Sequence, residues 1–149
     1  MTRRLLALTA LVVALVCPAA ASADWLPIEE VGTIGPSDQQ FHTAANDRGD
    51  AILAWGDGAA IKVAVSRRGE AFGAARTVPG STGELKLLEG VDLNEDGRAI
   101  LWWREPVQGS GIRFKLVGLK VDGGFGRSRV VTPTDEYLSF EPVIGPGGR

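Results

Sequence analysis

The chain has 149 residues, with 16 Lys and Arg against 18 Asp and Glu, one His and one Cys. This mildly acidic balance argues against a nucleic-acid partner, because phosphate binding relies on clustered Lys and Arg. A single Cys and a single His also exclude a disulfide within the chain, a thiolate metal cluster and a multi-histidine metal site.

At the N-terminus, Arg3 and Arg4 precede an apolar run from Leu5 to Val16, and Ala21, Ser22 and Ala23 supply small residues ahead of Asp24. That is the layout of a cleaved secretory signal over residues 1–23, which predicts a secreted protein in the extracellular space or cell envelope. A membrane-crossing helix takes roughly 20 apolar residues, so this shorter run, closed by Pro18, predicts no transmembrane anchor. Lipidation at Cys17 is the rival reading, but Val16 stands where a small residue is wanted. Cleavage after Ala23 would remove Cys17 and leave residues 24–149, with 14 basic residues against 18 acidic ones and no disulfide.

The next segments repeat. Residues 46–57, NDRGDAILAWGD, lie over residues 94–105, NEDGRAILWWRE, at a constant offset of 48 that superposes Gly49 on Gly97 and Trp55 on Trp103. Each copy runs on into an alternating apolar segment, AIKVAVSRRG from Ala60 and IRFKLVGLKVDG from Ile112, and then into an aromatic–glycine pair at Phe72 or Phe125. The same closing pattern occurs at Trp25, so that Val31, Val78 and Val131 align. The opening pattern recurs at residues 140–149, where FEPVIGPGGR lies over FHTAANDRGD from Phe41. The domain at 24–149 is thus the tail of one unit, whole units at about 41–83 and 89–136, and a third unit begun at 140.

Period-2 alternation and turn residues predict strands throughout and no helix in this domain. Turns are expected at 46–49, 56–58, 67–69, 94–97, 106–111 and 122–124, and Gly118 suggests a bulge. AILAW and AILWW read as inner strands covered on both faces. Repeats of this length with four short strands predict an all-β, partial β-propeller-like array of antiparallel four-stranded units, about two and a half blades in all. A small β-sandwich is the rival. Propellers close with about four to eight blades, so the domain is expected to be an incomplete array. Self-association of copies through exposed strand edges, or a small open sheet, are the alternatives.

The units resemble the loosely defined propeller-like repeats, D-x-N/R-G-x-A-x-x-A/W-W followed by F-G-x-x-x-x-V/L-S, of secreted bacterial proteins of unassigned role. The resemblance implies a β-propeller scaffold and carries over no catalytic residue. The units are also distantly similar to sialidase-type repeats, but the Asp-box, Ser-x-Asp-x-Gly-x-x-Trp, does not occur. SRRGEAF, from Ser66 to Phe72, places Arg68 where the box wants Asp.

Candidate sites are few. Asp92, Asn94 and Asp96, with Gly97 behind them, match the first half of an oxygen-rich calcium loop and would be the metal ligands if calcium binds. Position twelve of that loop is Trp103 and position nine is Ile100, neither an oxygen donor, so a plain Asn/Asp/Gly turn is the preferred reading and no cofactor is expected. His42 reads as a surface or packing residue. Asp24, Glu29, Glu30, Glu84, Glu89 and Glu105 are carboxylates that nothing in the sequence pairs across a cleft. Trp55 and Trp103 read as core. Trp102, on the opposite strand face, either packs between units or offers a stacking platform to a sugar or protein, and is the binding candidate. The sequence thus predicts a non-catalytic repeat protein with a structural role or one in binding protein or carbohydrate, with a fragment of an extracellular carbohydrate-active enzyme as the alternative.

Overall fold

The structure, a computed structural model, describes residues 28–34, 40–83, 86–107, 111–134 and 141–148. The signal segment and Trp25 lie outside them. Two four-stranded antiparallel sheets follow one another along the chain. The first joins β1 (Phe41–Ala45), β2 (Ala51–Gly56), β3 (Ile61–Ser66) and β4 (Arg76–Thr77) in sequence order. The second joins β5 (Leu87–Leu93), β6 (Arg98–Pro106), β7 (Ile112–Lys120) and β8 (Arg129–Thr134) in the same order. The expected all-β class and the two four-stranded units are present.

Equivalent residues hold equivalent places in both sheets. Phe41 faces Trp55 across β1 and β2, as Leu88 faces Trp103 across β5 and β6; Ala45 faces Ala51 as Leu93 faces Ala99. The second sheet absorbs one extra residue, Glu89, between Leu88 and Gly90. The bulge expected at Gly118 is not there: Gly118 pairs with Ile100 in unbroken register, and the second irregularity lies between Phe114 and Lys115, where β8 carries Val131 as the additional residue. Glycine at 118 instead removes a side chain at the place held in the first sheet by Val65.

One apolar core fills the space between the sheets. The first sheet contributes Ile52, Ala54, Ile61 and Val63, and the second contributes Ala99, Leu101, Trp103, Val117 and Leu119. Strand alternation makes these opposite faces of the repeat. Ile52 and Ala54 look forward, toward the following unit; Ala99, Leu101 and Trp103 look back, as their counterparts Ala51, Leu53 and Trp55 do in the first sheet. The units therefore stack front to back. In a sandwich related by a two-fold axis, like faces would meet instead. Burying the Ile, Val and Leu side chains among them contributes roughly 1.5–3 kcal/mol each.

Each Trp on the outward faces lies on a glycine. The Trp55 ring covers Gly32 in segment 28–34, and its Nε1 donates to the Thr33 carbonyl at 3.1 Å. Trp102 covers Gly90, its partner in the neighbouring strand. A Cβ at Gly90 would overlap the Trp102 ring, whereas one at Gly73 meets only the Val65 carbonyl at an ordinary 3.6 Å. Gly90→Ala is expected to destabilise the chain by roughly 1–3 kcal/mol through overpacking, and Gly73→Ala by less than about 0.5 kcal/mol. Urea unfolding of the two variants checks this, and equal stabilities would contradict it.

Candidate functional site

The acidic loop at 92–97 belongs to a row of turns. Asn46 and Asn94 adopt one conformation. The Asn46 Oδ1 accepts the amides of Arg48 and Asp50 at 3.1 and 3.0 Å, and the Asn94 Oδ1 accepts those of Asp96 and Arg98 at 3.0 and 2.9 Å. Gly49 and Gly97, at φ of 80° and 72°, close each turn on the Asn carbonyl. Left-handed backbone is open to glycine because it has no Cβ, and Asn holds such turns through its side-chain oxygen.

The same Asn also reaches the next unit. The Asn46 Nδ2 donates to the Asn94 carbonyl at 3.0 Å, and the Asn94 Nδ2 donates to the Gly145 carbonyl at 3.1 Å. Gly145 stands where the repeat alignment puts the third Asn. Around this row, the Arg48 guanidinium donates to the Glu95 carbonyl at 3.0 Å. Asp92 accepts the Ile144 amide at 2.8 Å, Asp96 accepts the Gly147 amide at 3.0 Å, and the Arg98 guanidinium donates to the Gly147 carbonyl.

Asp92, Asn94 and Asp96 are therefore already engaged. Their side chains join the second turn to segment 141–147. Among the described residues, no group of three or more His, Cys, Asp or Glu side chains converges as a metal site. His42 is half-buried in β1 opposite Ala54. Trp102 is only 7% exposed, so its ring is covered in the manner of the packing alternative. The exposed aromatic ring among the described residues is Phe41.

Asp50, which follows the first Asn turn, is buried beside a polar cleft of about 330 Å³ between the two turns. It accepts the Arg68 amide at 3.2 Å and the Asn46 Nδ2 at 3.3 Å, with the Arg48 Nε at 3.8 Å. Arg68 has a φ of 47°, and it and Gly69 form a two-residue hairpin turn closed by the Glu70 amide on the Arg67 carbonyl at 2.7 Å. Such a turn needs positive φ at both central residues. The Asp50 carboxylate holds the non-glycine one in place.

A second repeated feature lies at the far end of β2 and β6. Asp57 pairs with Lys62 at 3.3 Å, and the equivalent Glu105 pairs with Lys115 at 2.8 Å. Glu105 is 4% exposed and also binds Lys86 and, at 3.4 Å, Arg113. Burial pushes the Glu105 carboxyl up, but hydrogen bonds and attraction from Lys115 and Lys86 outweigh it and leave it below the usual carboxylate range. For Asp57, burial is likewise outweighed, by the Ala59 and Ala60 amides and by Lys62. Both groups are thus held ionised as counter-ions to Lys62 and Lys115. Glu89, another carboxylate at this end, pairs with Arg104 at 2.6 Å. The offset of 48 places Asp57 over Glu105, and the offset of 53 that relates Phe72 to Phe125 places Lys62 over Lys115; the sequence reading did not carry that second offset to charged residues.

Comparison with protein-family models, with curated proteins and with solved structures finds no match.

Two outcomes follow from these contacts. Free Asp and Glu titrate near ~4, so the stabilisation from Asp57 and Glu105 is complete above that pH and is lost as pH falls through their lower folded values. Glu105→Gln is expected to cost about 3 kcal/mol at neutral pH, the low end for breaking a buried pair because the cations stay partly wet. It should also flatten the fall in stability below about pH 4; an unchanged acid limb in urea titrations would contradict this. Adding calcium chloride is expected to leave the melting temperature unchanged. A calcium-dependent rise abolished by Asp92→Asn would assign Asp92, Asn94 and Asp96 to the metal instead.

Proposed function

We propose that this chain is a non-catalytic repeat scaffold of the β-propeller type, exported by its N-terminal segment, that works by presenting its outer surfaces to protein or carbohydrate. The observation that carries this reading is the transfer of one contact along the chain: the Asn turn of the first unit seats on the second, and that of the second seats on residues 144–147. Front-to-back stacking of four-stranded meanders is how propeller blades and other repeat arrays bury their cores. Asp57 and Glu105, ion-paired with lysines at the sheet ends, support a structural role for these carboxylates. No helix among the described residues is long and apolar enough to cross a membrane.

Purified protein offered a panel of chromogenic glycosides and polysaccharides tests the reading. Binding to a polysaccharide or protein without turnover is the expected result. Hydrolysis above the buffer rate that follows the protein through purification would move the reading to a carbohydrate-active enzyme. Export is checked by expressing the whole chain in a secreting host and determining the mature N-terminus, which is expected to be Asp24; full-length protein retained in the cytoplasm would contradict it.

A further inference from the structure

One charge cluster differs between the two whole units in a way the fold does not require. In the first unit a single cation satisfies Asp57. Its carboxylate accepts the Ala59 and Ala60 amides at 3.0 and 2.8 Å and pairs with Lys62 at 3.3 Å, and Lys62 also donates to the Thr77 hydroxyl at 2.8 Å. The second unit keeps that lysine as Lys115 and adds Lys86 and Arg113 to the equivalent Glu105. In sequence, Arg113 stands where the first unit has Ala60, and Lys86 where it has Gln39. Burial of Glu105 accounts for one cation, because one positive charge neutralises one carboxylate. Three leave two positive charges in excess, on side chains that remain partly open to solvent: Lys86 is 17%, Lys115 20% and Arg113 38% exposed. Among the described residues, none of the three pairs with a second carboxylate.

We propose that Lys86, Arg113 and Lys115, gathered by Glu105, form a seat for one oxyanion, the carboxylate or sulfate of an acidic polysaccharide. The oxyanion follows from the excess charge and from the donors still to be used. An ammonium carries three N–H donors and a guanidinium five, and Glu105 takes only a share of them. The strands fix the arrangement. Arg113 faces Glu105 in register, Lys115 follows two residues along on the same face of β7, and Lys86 enters from the residue before β5. Lys86 meets Glu105 Oε2, while Arg113 and Lys115 meet Oε1, so the cations are spread around the carboxylate. Glu105 is then a positioning residue. A nucleic-acid backbone would need a row of such seats, and the equivalent place in the first unit, Asp57 with Lys62, is neutral. That the oxyanion is borne by a polysaccharide rests on the carbohydrate-binding reading above.

The test is calorimetric titration of the exported chain with oligogalacturonate, dextran sulfate and unsubstituted dextran, alongside the melting temperature of each variant. At least one acidic glycan is expected to bind, at least about tenfold more tightly than dextran, and less tightly as salt is added. Arg113→Gln and Lys86→Gln should each weaken that binding by at least about tenfold, because charge-assisted hydrogen bonds are the strong ones. Arg127→Gln, an exposed position near the opposite end of β7, should leave it unchanged. A purely structural cluster would lose melting temperature with Arg113→Gln; removing an excess cation relieves repulsion instead, so the melting temperature should hold or rise. Acidic and neutral glycans bound alike, no acidic glycan bound, or an equal loss in Arg127→Gln overturns the proposal. Inorganic sulfate or polyglutamate bound as tightly as the glycans overturns the polysaccharide as carrier. Glu84 lies outside the described residues; an acidic-glycan preference that only Glu84→Gln creates would show the seat already filled, and overturns the proposal too. Should one of the two variants fail to fold, the other decides. Neutral-glycan or protein binding that survives both substitutions sinks the seat and leaves the scaffold reading standing. Turnover of an acidic glycan that both substitutions weaken does the reverse.

Discussion

Asparagine in two roles sets the geometry of this molecule. Its Oδ1 fixes the backbone of its own turn, and its Nδ2 reaches the backbone of the next. Because one side chain does both, the local shape of the hairpin and the placement of the following unit are the same constraint. A typical hydrogen bond contributes only about 1 kcal/mol net, but these bonds set register, and the apolar core between the sheets supplies the bulk of the stability. Without that register, Trp103 would not fall opposite the face that carries Ile52 and Ala54.

Stacking front to back has consequences that a paired sandwich would not have. Each sheet is apolar on both faces, because each must serve as floor for one neighbour and ceiling for another. The same burial logic then explains why Trp55 lies under residues 28–34 and why Ile144 lies against the second sheet. Short pieces of neighbouring units cover faces that whole units cover in the interior. It also explains the carboxylates of the 92–97 loop. In the first unit, Ala44 and Arg48 stand where Asp92 and Asp96 stand in the second, and there Arg48 donates to a carbonyl. The second unit meets a segment that presents free amides, and acids suit those.

Much of this was legible in the sequence because it depends on spacing. The offset of 48 between the Asn-Gly turns predicted both hairpins, and the nearly continuous apolar runs AILAW and AILWW predicted inner strands that are covered on both faces. What escaped depends on contacts between residues far apart in the chain. Nothing local distinguishes Asp50 from any other turn carboxylate, since its role is set by the Arg68 amide 18 residues on. Gly118 looked like a bulge because glycine often marks one, whereas the irregularities fall at Glu89 and Val131, residues with no special backbone preference. Trp102 could be placed on a face from alternation but not covered or uncovered, because Gly90 beneath it comes from another strand.

Proton exchange of the Asn side-chain amides, followed by NMR on the 15N-labelled chain, tests the central claim most directly. If one Asn contact carries the repeat from unit to unit, the Nδ2 protons of both Asn46 and Asn94 will exchange markedly more slowly than a free carboxamide, and Asn46 will lose no protection when Ile144→Asp unseats the last segment. Both side chains exchanging at the free rate in a folded protein would contradict the account.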